Sequence, residues 1–176
     1  MVNPSFSFEV NMHVEVLQEV DHLKILEEAN SIKVALNKGW SNMPDQVGLQ
    51  GHKPDLNPLT EYENSCGRVH KMQYPENYFK YDLWDIPIVN RIMAKYGMIR
   101  TRLMASQPKT CLTIHADMSK RIHIPLMSNP ECLMVIEDRA YYLEPGKVYL
   151  TNTTLRHTAL NGSQTNRLHI VGCIYS

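Results

Sequence analysis

The sequence predicts a mainly β protein with flanking helices, wound as a β-sandwich or jelly roll, and three observations carry that prediction. Beyond Gly97 the chain runs through short alternating or wholly apolar segments with no helical period between them. Those segments are punctuated by turn chemistry such as SNPE, EPGK and NGSQTN. The helical patterns all lie earlier, so helices and strands do not alternate as a parallel α/β sheet requires.

At 176 residues and 20.3 kDa the chain is long enough for one sizeable core and short for two, so one domain is expected over residues 1–176. Residues 1–100 would carry the helices, an early strand and substrate loops, and residues 101–176 the jelly-roll core. Apolar residues at 43% and charged residues at 20% exclude a disordered or fibrous chain. Eighteen basic residues cancel eighteen acidic ones, so no bulk field draws the chain to nucleic acid or to an anionic membrane. The opening MVNPSFSFEV has no signal-peptide pattern, and no apolar run approaches the roughly 20 residues of a bilayer span, so the expected location is cytoplasmic. Cys66, Cys111, Cys132 and Cys173 form no CxxC pair, and the last three sit in apolar runs, which fits reduced, buried thiols.

The first element is a strand in FSFEVNMHVEVL, where Phe6, Phe8, Val10, Met12, Val14 and Val16 alternate with polar residues. An amphipathic helix follows from about Gln18 to Asn37, with Val20, Leu23, Leu26, Ile32 and Ala35 as its apolar set and Asn37-Lys38-Gly39 as its stop. Residues 41–80 break every period with Pro44, Gly48, Gly51, Pro54, Pro58, Gly67 and Pro75, and so read as binding loops that touch substrate. A second helix is expected over Ile86 to Lys95, with Pro87 in its first turn and Gly97 ending it. The β part then runs through MIRTRLMAS, KTCLTIH, KRIHIPLM, CLMVIED, RAYYLE, KVYLTN, RHTALN and RLHIVGCIY.

Within TIHADMSKRIHIPL, His115 and Asp117 stand two apart, so a strand would aim both at one point while Leu112 and Ile114 face away. His157 in TTLRHTALN supplies a third ligand from a later strand. Two imidazoles and one carboxylate on one face leave positions open, as in non-heme Fe(II) oxygenases. Arg167 follows His157 by ten residues across NGSQTN, and Arg121 and His123 add donors one turn after the HxD. Taken singly, such residues are more often cross-strand partners of acidic neighbours such as Glu137 or Asp138. Taken together they suit an iron that chelates a keto acid whose far carboxylate meets a guanidinium, namely 2-oxoglutarate. His13, His22, His52 and His70 have no partner at ligand spacing, His169 reads as a satisfied core histidine, and the aromatic run from Tyr74 to Trp84 reads as packing.

From about Arg102 to the C-terminus, with the markers HADMSKRIHIPL, LEPGKVYLTNTTLRH and NGSQTNRLHIVG, the chain resembles the aspartyl/asparaginyl β-hydroxylase group of Fe(II)- and 2-oxoglutarate-dependent oxygenases. The resemblance implies a double-stranded β-helix (jelly roll, cupin-like), hydroxylation of an amino-acid side chain, free or in a peptide, and His115, Asp117 and His157 as iron ligands. It also implies Arg121, His123 and Arg167 as 2-oxoglutarate contacts, with Ser106 near a cosubstrate hydroxyl position. The chain keeps Asp117, as proline-hydroxylase-like members do, and has Thr151, Asn152 and Thr153 where many members are acidic, so a proline hydroxylase is the alternative within the family. The alternative of another class is a non-catalytic cupin-like module that binds a small molecule. The expected partner is a small-molecule or peptide substrate, with the oligomeric state open.

Overall fold

The computed structural model describes residues 12–39 and 45–175. In chain order it holds β1 (Val14–Glu19), α1 (His22–Ala35), β2 (Gln46–Gly48), β3 (Gln50–Gly51), α2 (Pro58–Glu61), β4 (Tyr81–Asp82), α3 (Pro87–Tyr96) and β5 (Ile99–Ser106). There follow β6 (Thr110–Cys111), β7 (Lys120–Met127), β8 (Cys132–Ile136), β9 (Arg139–Tyr142), β10 (Lys147–Thr151), β11 (His157–Asn161) and β12 (Arg167–Ile174). Three short 3-10 turns, Tyr62–Ser65, Val69–Lys71 and Glu76–Tyr78, interrupt the long connection before β4.

One sheet has the order β1-β10-β7-β12-β5-β2 and the other β6-β11-β8-β9, while β3 and β4 form a separate ribbon. Counting β5 to β12 as first to eighth, the sheets read first-eighth-third-sixth and second-seventh-fourth-fifth. Successive strands cross between sheets in this antiparallel order only when a folded ribbon is wound into a jelly roll, so the double-stranded β-helix follows from the pairing itself.

The larger sheet has two unlike faces. Ile122, Ile124 and Leu126 of β7, Leu168 and Ile170 of β12, and Leu103 of β5 join the main apolar core with α1 and α3. Their alternates Arg121, His123, Arg167, His169, Arg102 and Ser106 face the other way, into the barrel. Apolar contact between the sheets is made at one end, where Tyr149 of β10 packs with Met134 and Ile136 of β8. Much of the rest of the interior is lined by polar side chains.

Helix α1 buries Ile25, Ala29 and Ile32, a stripe at four- and three-residue spacing. The expected set is therefore partly displaced: Leu23 is 61% exposed and Ala35 is also exposed, since both lie outside that stripe; the helix begins at His22, with Asp21 accepting from the Lys24 amide. Helix α3 has no side-chain cap of its own, and Glu28 of α1 accepts from the amides of Ile88 (2.8 Å) and Val89 (3.0 Å) instead. Gly97 ends α3 in the left-handed conformation at φ 60°, as Gly at that place predicts.

Of the early strand, Phe6, Phe8 and Val10 lie outside the described residues, as does Pro44. Its described part bulges between Val16 and Gln18; Val14 packs inward with Tyr149, while Leu17, three residues on, packs on the helix side. Residues 41–80 are not wholly loop either, since β2 pairs with β5 as an edge of the larger sheet. Cys111 is exposed on the short β6 rather than buried, and the four cysteines are free. No helix among the described residues is long and apolar enough to cross a membrane.

Candidate active site

His115 and Asp117 do not lie on a regular strand. From the Cys111–Leu160 pair to the His115–His157 bridge there are four steps on one side and three on the other, so the β6 side carries one extra residue. Such a bulge re-aims side chains. Leu112 and Ile114, expected to face away from the site, are exposed beside it. The His115 amide donates to the His157 carbonyl (3.0 Å) and the His157 amide donates to the His115 carbonyl (2.8 Å), while the Asp117 amide donates to the Thr153 carbonyl (2.8 Å). These main-chain bonds fix both residues against the start of β11.

Three ligand-type side chains converge as a result. Nε2 of His115 lies 3.8 Å from Oδ1 of Asp117, and Nε2 of His157 lies 3.7 Å from Oδ2. All the donor atoms fall within 4.8 Å of one another. Atoms bonded to one ion at about 2.0–2.2 Å can stand at most roughly 4.4 Å apart, so little closure is needed. Nδ1 of His115 faces the Thr113 carbonyl at 2.7 Å, and Nδ1 of His157 faces the Leu155 carbonyl at 3.0 Å. A carbonyl only accepts, so each Nδ1 carries the proton and each Nε2 presents a lone pair to the shared point. Burial lowers the His157 pKa, outweighing the Leu155 carbonyl and Asp117, which keeps that imidazole neutral. His157 is buried, Asp117 half-buried and His115 exposed, so the cluster opens on one side.

Arg167, the first residue of β12, is buried and sits directly across from Ser106 on β5. Its guanidinium meets both ring nitrogens of His169, at 3.2 and 3.0 Å, and no carboxylate among the described residues pairs with it. A neutral imidazole offers one lone-pair nitrogen, so only one of those contacts is a hydrogen bond at a time. Burial lowers the Arg167 pKa to about 10, which leaves it a cation at neutral pH. His123 is buried edge-on to His169 at 5.8 Å between ring centres, and neither of its ring nitrogens has a partner among the described residues. It lies within electrostatic reach of both Arg167 and His157. An unpaired buried cation beside an unsatisfied imidazole is costly unless an anion with acceptor oxygens completes the pair. The Ser106 hydroxyl is 3.0 Å from that of Thr110.

Arg121 is differently engaged from the expectation of an anion anchor. Its Nε donates to Asp117 (3.1 Å), its Nη2 to Glu76 (3.3 Å) and its Nη1 to Ser119 (2.5 Å). Glu76 also accepts from Arg100 and from the Tyr175 hydroxyl (2.6 Å). Arg100 holds φ 48° where β5 bulges, and its remaining donors meet the carbonyls of Ser65 (2.9 Å) and Gly67 (2.6 Å). A buried chain Arg100–Glu76–Arg121–Asp117 thus runs to the cluster and holds the Asp117 carboxylate in place. Burial pushes the Glu76 pKa up, but Tyr175, Arg121 and Arg100 outweigh it and the net lies below the ordinary 4.5. Glu76, Arg100 and Arg102 are not singled out by the sequence. The Arg100 and Arg102 alternation within an apolar strand is a signal for the two cations, whereas nothing local marks Glu76.

Of the residues read as packing or surface groups, Tyr78 and Tyr81 are exposed, whereas others are packed. Tyr74 stacks on His52 at 4.1 Å, Phe79 and Trp84 are buried, and His13 lies 3.1 Å from the Tyr141 hydroxyl. His169 is a core histidine as expected, but one whose partner is Arg167.

The buried imidazoles make stability depend on pH. Burial first, then Arg167, drives His123 and His169 well below the usual 6.5, so both are neutral when folded and protonate on unfolding. The unfolded state therefore binds more protons below about 6.5, and stability is lost as pH falls. The melting temperature is expected to drop between pH 7.5 and 5.5, with the drop reduced in His169→Phe; a pH-independent melt contradicts this.

Fold and site together define a jelly-roll protein with an open His/Asp/His cluster and, on its inner wall, a guanidinium, Arg167, with no carboxylate partner among the described residues. Residues 73–174 match the family described as aspartyl/asparaginyl beta-hydroxylase. The chain belongs to that family and is an oxygenase of the hydroxylase type. The match begins at residue 73, upstream of the resemblance seen from Arg102, and takes in Glu76. No curated protein matches the chain. Among solved structures it is similar to a cupin domain from Bordetella pertussis Tohama I, at 17% identity over 43% of this chain and 80% of that one, TM-score 0.38. It is also similar to an oxidoreductase of the 2OG-Fe(II) oxygenase family from Burkholderia pseudomallei, at 15% identity over 43% of this chain and 41% of that one, TM-score 0.39. A third is TT1209 from Thermus thermophilus, at 20% identity over 43% and 71%, TM-score 0.37.

Proposed function

We propose that the chain is an Fe(II)- and 2-oxoglutarate-dependent dioxygenase that hydroxylates an amino-acid side chain of the Asp/Asn type, free or in a peptide. The observation that carries this is the open His115, Asp117 and His157 cluster sharing one interior with Arg167, a buried cation with no carboxylate partner among the described residues. The donor set fits Fe(II), since two neutral imidazoles and one carboxylate on one side leave room for other ligands. The orphaned nitrogens of His123 fit an oxygen-rich anion between the cluster and Arg167. When bound, iron with 2-oxoglutarate would activate O2, the oxidant that hydroxylates an unreactive C–H bond while the keto acid is oxidised to succinate and CO2.

The protein's own part is binding, orientation and exclusion of water. His115, Asp117 and His157 would hold the metal, and Arg121 keeps Asp117 aimed at it. Arg167 would take the distal carboxylate of the cosubstrate, with His123 and the strand partner Ser106 beside it. His169 backs the guanidinium from behind and limits its rotation.

Anaerobic addition of Fe(II) and 2-oxoglutarate should give the weak visible charge-transfer band of a chelated keto acid. His157→Ala should abolish it, and an unchanged band would remove the metal assignment. Mass spectrometry of Asp, Asn and Pro, each free and as the N-acetyl amide, would read the substrate as a gain of one oxygen. A gain on proline alone favours the proline-hydroxylase reading; tight small-acid binding with no turnover favours a non-catalytic module.

A further inference from the structure

The barrel interior holds a second buried guanidinium that the proposed chemistry does not use. Arg102 of β5 is 6% exposed, and its Nη1 donates to Gln46 on the edge strand β2 at 2.9 Å. That is the one hydrogen bond of its guanidinium among the described residues, and its Nε is buried with no partner among them. Strand pairing sets Arg102 opposite Val171 of β12, and Val171 opposite His123 of β7, so Arg102 and His123 lie on the same inner wall two strands apart. At about 4.8 Å per strand that is roughly 10 Å. The segment from Tyr62 to Gly67 roofs this end, for a Cβ on Gly48 would meet the Ser65 hydroxyl at 2.2 Å and the Tyr62 carbonyl at 2.4 Å.

Among the described residues nothing neutralises this cation. The carboxylates of the interior, Glu76 and Asp117, are taken by Arg100 and Arg121. Burial raises the thiols of Cys66 and Cys173, the latter to about 11, so neither is an anion at neutral pH. Burial lowers the Arg102 pKa only to about 10, with Arg100 adding repulsion, so the guanidinium stays charged. A buried cation of this kind is costly without a partner, and a guanidinium with an open edge matches a carboxylate.

Two buried guanidinium groups, Arg102 and Arg167, thus lack an anion among the described residues. The cosubstrate has one carboxylate to spare once the other joins its keto group at the metal. Arg167 and Arg102 are also separated along the strands, since Arg167 faces Ser106, four residues beyond Arg102, or roughly 13 Å. Resting on the function proposed above, we infer that Arg102 anchors a carboxylate of the substrate, and that the substrate is an anion, bound beneath the Tyr62–Gly67 segment. The carboxylate is either the α-carboxylate of a free amino acid or the side chain of an aspartyl residue. Arg102 is then a specificity residue: it sets which compound enters and leaves the cosubstrate site unaltered.

The test compares acids with their amides. L-Aspartate, L-proline, L-prolinamide, N-acetyl-L-aspartic acid α-amide and N-acetyl-L-asparagine amide are titrated calorimetrically into the protein, with and without Fe(II) and 2-oxoglutarate. At least one acid is expected to bind tenfold or more tightly than its amide. Preference for L-proline over prolinamide, or for L-aspartate alone, marks an α-carboxylate, and preference for the aspartic acid α-amide over the asparagine amide marks the side chain. Arg102→Gln should erase the preference, with Arg102→Lys retaining part of it, while the 2-oxoglutarate concentration that half-develops the visible band shifts less than twofold. Equal binding of acids and amides to the unaltered protein overturns the proposal, and that comparison stands even if Arg102→Gln fails to fold. So does an Arg102→Gln protein whose 2-oxoglutarate requirement rises as far as that of Arg167→Ala, which would make Arg102 a cosubstrate contact. An unaltered protein that prefers acids yet gives no band with Fe(II) and 2-oxoglutarate defeats the function proposed above and leaves the Arg102 assignment standing.

Discussion

Glu76→Gln is expected to destabilise the fold by about 3–5 kcal/mol, the cost of breaking a buried ion pair by removing one partner. Glu76 is 3% exposed and is the shared acceptor for Arg100, Arg121 and the Tyr175 hydroxyl. Glutamine keeps the size and one acceptor oxygen but removes the charge, so Arg100 is left with no carboxylate beside the carbonyls of Ser65 and Gly67, while Arg121 keeps Asp117 as its one carboxylate and the Ser119 hydroxyl. The midpoint of urea denaturation should fall with little change in slope; an unchanged midpoint contradicts the account. The effect also has a signed pH dependence. Glu76 titrates below its ordinary 4.5 when folded, so its contribution is complete above about 4.5 and is lost as pH falls through the folded value. The gap between the two proteins should therefore close in acid. A second readout separates this from simple loss of packing: with Glu76 neutral, Arg121 draws more strongly on Asp117, and metal affinity should weaken by roughly 10–100-fold, the usual range for a residue supporting a ligand.

Glu76 also marks the limit of what the sequence discloses. Strands β5, β7, β8, β10 and β12 are legible because each sets one face against an apolar cluster, and the segments expected for β5 and β7 to β12 fall within a residue or two of those observed. The HxD segment is misplaced on a strand because a bulge, unlike an alternation, leaves no period to read. The face of α1 is partly misread for a related reason: Leu23 and Ala35 fit the helical period yet lie outside the stripe that Ile25, Ala29 and Ile32 bury against β7. The convergence of His115, Asp117 and His157 is legible because ligand-type residues are few and the antiparallel fold restricts where they meet. Charge alone assigns Arg121 to an anion; only its distances to Asp117 and Glu76 reveal that its forks are already filled. A carboxylate in an irregular segment acquires meaning only when the fold brings it to two cations, and no local pattern announces that.

Arg167→Ala is expected to raise the 2-oxoglutarate concentration needed for half-maximal succinate release by roughly 100-fold, which corresponds to about 3 kcal/mol. The argument rests on what the guanidinium lacks. Arg121 has two carboxylates and a hydroxyl, whereas Arg167 has His169 and no anion among the described residues. An incoming carboxylate therefore meets a cation already desolvated and held in place, so binding does not incur the cost of ordering it. Removing the side chain should act on cosubstrate binding more than on the chemical step, and turnover at saturating 2-oxoglutarate should largely recover. Arg121→Ala should behave in the opposite way: metal binding weakens because Asp117 loses its support, and added 2-oxoglutarate does not restore activity. If the two variants are interchanged in behaviour, Arg121 rather than Arg167 carries the cosubstrate. The paired comparison thus decides between an anchor that sequence order suggests twice and the one whose surroundings leave a place for an anion.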